Sequence, residues 1–174
     1  MMMLSVQSKL RSVKSLLAQR PDAEAVMAGS AEYPNIKGTV DFIQLKNGVL
    51  VAAEVFGLPK SGTADCGNGI FALHLHEGGS CAGTPDDPFS SAGAHYNSGI
   101  REHNATGICT HPYHAGDMPP LFANDGYAFL VFFTNRFSVE QIIGRTMVIH
   151  SSVDDFTSQP SGNAGKRIAC GIIR

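Results

Sequence analysis

Histidine is the side chain whose distribution in this sequence points most directly to chemistry. All seven histidines lie between His74 and His150, and none is among the first 73 residues. Imidazole is the commonest metal ligand in proteins, and here it is concentrated in a glycine-rich loop and its flanking strands. The distribution therefore predicts a metal site in this part of the chain.

Two short motifs indicate how the imidazoles could be arranged. His74 and His76 are two residues apart on a predicted strand, so their side chains lie on one side and can share a cation. His114 and Asp117 are three residues apart across a tight turn, which suits a tetrahedral zinc site with one charged oxygen ligand. Each motif alone also fits an ordinary surface pair or turn aspartate, and the local pattern leaves both interpretations open.

The segments that must position these residues have the pattern of β-strands. Residues 36–45 and 49–56 are strand-like runs on either side of Asn47-Gly48, a strong hairpin signal. Residues 69–76 alternate apolar side chains with the two histidines, and later strands are predicted at 127–134, 146–150 and 167–173. With 19 glycines and 9 prolines implying many turns, the pattern favours an all-β fold.

The remaining segments show little strand periodicity. Residues 77–126 are rich in Gly, Pro, Ser, Asp and His, and so long a loop in a compact domain needs metal ions or a disulfide to hold it. Leu10, Val13 and Leu17 lie at helical spacing and predict a short amphipathic helix over about 4–20. We predict an N-terminal extension over 1–30, which packs on the protein or serves as a membrane-surface or partner helix, and one domain over 31–174.

Composition excludes several classes of function. The chain of 174 residues is 43% hydrophobic with a net charge of −2, as expected for one soluble domain without the basic surplus that binds nucleic acid. No stretch approaches the roughly 20 apolar residues of a membrane span, and the start lacks the pattern of a secretory signal. A cytoplasmic or non-classically exported protein would fit, but four cysteines hint at an oxidising compartment, and localisation stays open.

Several separated motifs, taken in order, resemble copper–zinc superoxide dismutases of the bacterial type from residue 69 to the end. The matching segments are 74–81 (HLHEGGSC), 92–97 (AGAHYN), His103, 114–117 (HAGD), 144–150 (GRTMVIH) and 162–171 (GNAGKRIACG). The likeness is weaker over 36–58, and residues 1–30 have no counterpart in the family core. The resemblance implies a Greek-key antiparallel β-sandwich or flattened barrel with long metal-binding loops.

The resemblance further implies two metal sites that share one histidine. The implied copper ligands are His74, His76, His95 and His150, and the implied zinc ligands are His95, His103, His114 and Asp117. Four nitrogen donors suit Cu(II), whereas three nitrogens with a carboxylate suit zinc. Asp154 matches a carboxylate that hydrogen-bonds one ligand of each metal. His111 has no family role and is predicted to be a loop residue.

Three further features follow from the same resemblance. Arg167 would lie beside copper and attract an anion, because a guanidinium offers a permanent positive charge with fixed donors. Cys81 and Cys170 match the family disulfide. Cys66 and Cys109 have no family role, so a second disulfide and two free thiols both stay open.

The implied activity is dismutation of the superoxide anion to O₂ and hydrogen peroxide by redox cycling of copper, with His95 carrying a proton and zinc serving a structural role. The sequence allows a homodimer without deciding it. One alternative is a non-enzymatic module that stores or delivers copper or zinc. A second is a zinc hydrolase that uses only the zinc side; it lacks an evident general base and leaves the copper histidines unexplained.

Overall fold

The structure is a computed structural model that describes residues 13–60, 69–97 and 110–174. The strands in these ranges are β1 (Ala23–Gly29), β2 (Lys37–Leu45), β3 (Gly48–Phe56), β4 (Ile70–Phe71), β5 (Leu73–His76), β6 (Leu121–Phe122), β7 (Ala128–Thr134), β8 (Thr146–His150) and β9 (Arg167–Ile172). Helical structure in the same ranges is limited to residues 13–17, a 3₁₀ turn at Ser90–Ala92 and one turn at Val139–Ile142.

Seven strands form one antiparallel sheet in the order β5-β8-β9-β1-β2-β3-β7, and β4 pairs separately with β6. Leu75 from one end of the sheet and Ala128 from the other belong to the same buried hydrophobic cluster, so the sheet curls around a single core. The predicted all-β fold is confirmed, in the form of a curled antiparallel sheet that makes a half-barrel, called the barrel below, with β5 and β7 at its edges. None of the helices in the described ranges has the length and apolar character of a membrane span.

The β2–β3 hairpin forms where the Asn-Gly signal predicts it. The register pairs Leu45 with Gly48 at the turn and continues to Lys37 opposite Phe56. Alternate residues such as Val40 and Phe42 are fully buried in the core, as a strand with one core-facing side requires. This hairpin lies beside β7 and gives the barrel its regular wall.

Strand β1 is a difference from the sequence prediction. Residues 23–29 were assigned to an N-terminal extension, yet they pair with β2 along most of their length and with β9 at Ala28 and Gly29. The reason is an alternation of small buried residues, in which Ala23, Ala25 and Met27 face the core. The predicted helix is present over residues 13–17, and its remaining part, residues 4–12, lies outside the described ranges.

Strands β5, β8 and β9 bring the sequence-distant chemical residues together. The predicted strand over 69–76 is interrupted at Ala72, and β5 then pairs with β8 so that His74 lies opposite Val148. Across the next pairing, His150 lies opposite Arg167 beside an irregularity in register. The core side of β5 holds Leu73 and Leu75, so its histidines occupy the opposite side, where they too are buried.

A disulfide joins the loop that follows β5 to β9. Cys81 and Cys170 are bonded across a sequence separation of 89 residues, which confirms the predicted pairing. Phe89 and the Cys81 side chain pack on a small cluster made by Ala92, Val148 and Cys170. The disulfide is consistent with an oxidising compartment. Cys66 and Cys109 lie outside the described residues.

Replacing both bonded cysteines, Cys81→Ser with Cys170→Ser, should lower the free energy of unfolding by about 2–5 kcal/mol, because the cross-link restricts the unfolded chain. Urea unfolding of the metal-free proteins measures this change. Peptide mapping without reductant is the control, and recovery of Cys81 linked to Cys66 or Cys109 would contradict the pairing.

Candidate metal centre

Two groups of potential metal ligands meet at one shared histidine. The first contains His74, His76, His95 and His150, and the second contains His95, His111, His114 and Asp117. Within each group, one ligand atom from every residue lies within 4.8 Å of all the others. The shared residue is His95, whose Nδ1 lies 2.7 Å from Asp117 of the second group and whose Nε2 has no hydrogen-bond partner in the described chain, so the two groups lie side by side.

The outer ring nitrogens of the first group are held by oxygen acceptors. His76 Nδ1 donates to the Gly93 carbonyl at 2.9 Å, and His150 Nδ1 donates to the Gly165 carbonyl at 3.3 Å. His74 Nε2 donates to Asp154 Oδ2 at 2.9 Å. The remaining nitrogen of each ring therefore carries a free lone pair, and those of His76 and His150 are 3.2 Å apart.

The second group surrounds one carboxylate with three Nδ1 atoms. Asp117 Oδ1 lies 2.7 Å from His95 Nδ1, and Asp117 Oδ2 lies 3.2 Å from His111 Nδ1 and 3.3 Å from His114 Nδ1. The turn is closed on itself, because the His114 N–H donates to Asp117 Oδ2 at 2.9 Å. Three nitrogens and one carboxylate oxygen are a zinc donor set.

Backbone contacts on the free edge of β5 position both groups. His76 pairs with His95, and His74 pairs with Asp117, in isolated antiparallel bridges. Between them, Gly116 accepts from the Leu75 N–H at 3.0 Å and donates to the Tyr96 carbonyl at 2.8 Å. A side chain on Gly116 would collide with the Leu75 carbonyl oxygen, so a glycine is needed for this close approach.

Unpaired buried nitrogens show that the donor set fits metal ions. Buried ring nitrogens without a hydrogen-bond partner in the described chain are His74 Nδ1, His95 Nε2, His111 Nδ1 and His114 Nδ1. Leaving one buried polar atom unpaired costs about 1–3 kcal/mol, yet these four converge on the two groups. Metal coordination accounts for them, and four imidazole nitrogens in the first group suit copper.

Asp154 connects the two groups. Its Oδ2 accepts from His74, and its Oδ1 accepts from His111 Nε2 at 2.8 Å and from the Phe156 N–H at 2.7 Å. One buried carboxylate therefore orients a histidine of each group. The neighbouring Asp155 instead accepts from the backbone of Thr157 and Ser158.

Protonation states match metal binding. Burial lowers the pKa of His76 to about 3 and also holds the pKa of His74 and of His150 below the usual value, so these rings are neutral ligands. Burial would raise the pKa of Asp117, but the hydrogen bond with His95 and the adjacent imidazoles outweigh it, and the pKa is lowered. The Asp117 carboxylate is therefore ionised at neutral pH.

His111 differs most from its sequence prediction. It was expected to be an ordinary loop residue, but it is 2% exposed and belongs to the second group. His103, the predicted zinc ligand, lies outside the described residues. Repeated spacing could have revealed His111, since it precedes His114 by the same three residues by which His114 precedes Asp117.

A cavity of about 530 Å³ opens onto the first group and is bordered by Lys166 and Arg167. Arg167 donates through Nη1 to Asp87 Oδ1 at 3.1 Å and through Nη2 to the Gly93 carbonyl at 3.2 Å. Because the Gly93 carbonyl also accepts from His76, the guanidinium is held next to the first group. The cavity thus offers a small anion a positive wall beside the histidines.

Fold and site together define an all-β protein with two adjacent groups of potential metal ligands that share one histidine. The family model for copper/zinc superoxide dismutase (SODC) matches residues 36–173. Superoxide dismutase [Cu-Zn] 2 of Aquifex aeolicus (strain VF5) is 36% identical over 157 residues, covering 83% of this chain and 85% of the relative. Superoxide dismutase [Cu-Zn] of Deinococcus radiodurans is 33% identical over 149 residues, covering 80% and 78%.

Solved structures give the same result. The Cu/Zn superoxide dismutase from Brucella abortus superposes with a TM-score of 0.69 at 27% identity, covering 88% of this chain and all of that one. A double mutant of a SOD-like protein from Bacillus subtilis superposes with a TM-score of 0.66 at 26% identity, covering 86% and 95%. The chain belongs to the copper/zinc superoxide dismutase family.

The two candidate histidines for the second group can be separated by mutation. His111→Ala should weaken zinc binding by more than about 100-fold, the upper range for residues that only support a ligand, whereas His103→Ala should leave it near wild type. Competition with a chelator measures both affinities. The reverse order would return His103 to the zinc site.

Proposed function

We propose that the protein catalyses the dismutation of superoxide, in which two superoxide anions and two protons give O₂ and hydrogen peroxide. Copper would be held by His74, His76, His95 and His150. Zinc would be held by His95, His111, His114 and Asp117, so that His111 replaces His103 in the ligand set that the family resemblance implies. The observation that carries this proposal is the shared imidazole: His95 belongs to both groups, its Nδ1 lies 2.7 Å from Asp117 Oδ1, and its Nε2 is buried without a hydrogen-bond partner in the described chain.

When bound, copper supplies one-electron redox chemistry and zinc supplies a fixed positive charge. The residues of the chain bind the anion and supply a proton. Arg167 binds the anion next to the first group, because its guanidinium donates in fixed directions and is always charged. His95, which lines the cavity, can hold a proton at Nε2 and release it to the reduced oxygen product, while Nδ1 remains directed at Asp117 of the second group.

Electrostatic attraction must be local in this protein. The net charge of −2 repels an anion slightly at long range, so Lys166 and Arg167 on the cavity border provide the attraction. Asp87 forms an ion pair with Arg167, and its side chain is 63% exposed. Because water screens the charge of an exposed carboxylate, Asp87 fixes the guanidinium at the entrance without cancelling the positive charge of the cavity.

A metal-storage module is the competing function, and the cavity argues against it. Storage requires donors but no anion-binding group, whereas here Arg167 is held beside the first group by two hydrogen bonds.

A homodimer remains a separate proposal, favoured by the exposed rings of Phe122, Phe129 and Phe133 on β6 and β7.

The bridging role of His95 predicts a specific pattern of metal loss. His95→Ala should weaken binding of both metals, because it removes one donor from each group, whereas His150→Ala should remove mainly copper. Metal analysis after dialysis against a graded series of chelator concentrations reads out both. Unchanged zinc affinity in the His95→Ala protein would contradict the shared imidazole.

Arg167 provides the test that separates a catalyst from a metal store. Arg167→Ile should lower kcat/KM by about ten-fold or more without displacing copper, and Arg167→Glu should lower it further, since steering of this kind is worth about 10–1000-fold. The decrease of the rate with salt should weaken in the first variant. Lys37→Ile, which removes the same charge from an exposed position on β2, is the control. Wild-type activity and salt dependence in both Arg167 variants would reject the anion site.

A further inference from the structure

Arg136 follows β7 and contacts the loop that carries the second metal group. Its Nη1 lies 3.1 Å from the His114 carbonyl oxygen, 3.1 Å from that of Asp117 and 3.3 Å from that of Pro112. One amino group of the guanidinium, Nη1, thus donates to three backbone carbonyls of one loop. Two of these carbonyls belong to residues whose side chains are in the second group.

The backbone of Arg136 is itself fixed to the barrel. Its N–H donates to Thr134 Oγ1 at 3.2 Å. The next residue, Phe137, is 5% exposed and packs edge-to-face on Phe42 with ring centroids 6.4 Å apart. The backbone from which the Arg136 side chain extends is therefore anchored in the core, so its hydrogen bonds tie the loop to the barrel.

The loop is held from two sides. On one side, the backbone of Gly116 joins β5 through the Leu75 N–H. On the other side, Arg136 donates to the carbonyls of His114 and Asp117, which lie before and after Gly116 in sequence. One anchor is on β5 and the other is Arg136, just beyond the end of β7, and two separate anchors fix both the position and the rotation of the turn.

We propose that Arg136 is a positioning residue of the zinc site, which aims His114 Nδ1 and the Asp117 carboxylate by holding their own main-chain carbonyls. This inference rests on the zinc site proposed above. Zinc requires nitrogen and oxygen donors at about 2.0–2.2 Å in tetrahedral directions, so a small rotation of the turn lowers affinity. Hydrogen bonds from a charged donor are about twice as strong as neutral ones, which suits this task.

The experiment compares Arg136→Met, Arg136→Lys and a stability control, Val40→Ala, which truncates a fully buried residue of β2. Zinc affinity is measured by competition with a chelator, and thermal unfolding is measured on the metal-free proteins. Cobalt(II) bound in place of zinc gives a visible spectrum that reports the geometry of the site. The copper EPR spectrum reports the first group.

Arg136→Met should bind zinc about 10–100-fold more weakly than wild type, with an altered cobalt spectrum and an unchanged copper EPR spectrum. Arg136→Lys should fall between the two, because an ammonium can replace part of the donation. Val40→Ala should bind zinc like wild type although it unfolds at a lower temperature.

Three results would overturn the role of Arg136: zinc affinity in Arg136→Met equal to wild type, an equal loss in Val40→Ala, or a lysine variant as weak as the methionine variant. Failure of the proposed zinc site itself, on which this inference rests, has a different outcome. In that case the wild-type protein itself does not retain zinc through His111, and His111→Ala has the same zinc affinity as wild type.

Discussion

The structure depends on one costly arrangement, the burial of imidazole nitrogens that have no protein partner. Folding alone does not favour it, because each unpaired nitrogen loses its water without gaining a hydrogen bond. The described chain tolerates the arrangement because a carboxylate fixes the opposite nitrogen of three of these rings: Asp154 holds His74 and His111, and Asp117 holds His95. The barrel, the disulfide and the loop contacts serve to hold these rings with their lone pairs converging.

Much of the fold could be predicted because strand pairing leaves a local pattern. The β2–β3 hairpin has a turn signal between two alternating runs, and β8 falls on the predicted residues. Strand β1 was missed because its buried side consists of Ala23, Ala25 and Met27, which give a weak hydrophobic contrast. The break in the strand at Ala72 was also missed, because it arises from hydrogen bonds to His150 and Ser152, far away in sequence.

The site was predictable where its residues lie on strands and less so in the loop. His74, His76 and His150 occupy strand positions whose side is set by a two-residue period, and the structure brings them together. His111 was missed because the only sequence signal for it is the three-residue spacing to His114, which does not show where a loop residue points, and its place depends on the distant Asp154. Arg136 left no signal in the sequence, since it acts through backbone carbonyls rather than through a motif.

Asp154 makes the two metal sites interdependent. A histidine of each group donates to one of its two oxygens. The orientation of the carboxylate that suits one site is therefore also fixed for the other. By thermodynamic reciprocity, if one bound metal changes the affinity for the other by some factor, the second metal changes the affinity for the first by the same factor. Metal binding at one site is therefore linked to metal binding at the other through a single carboxylate.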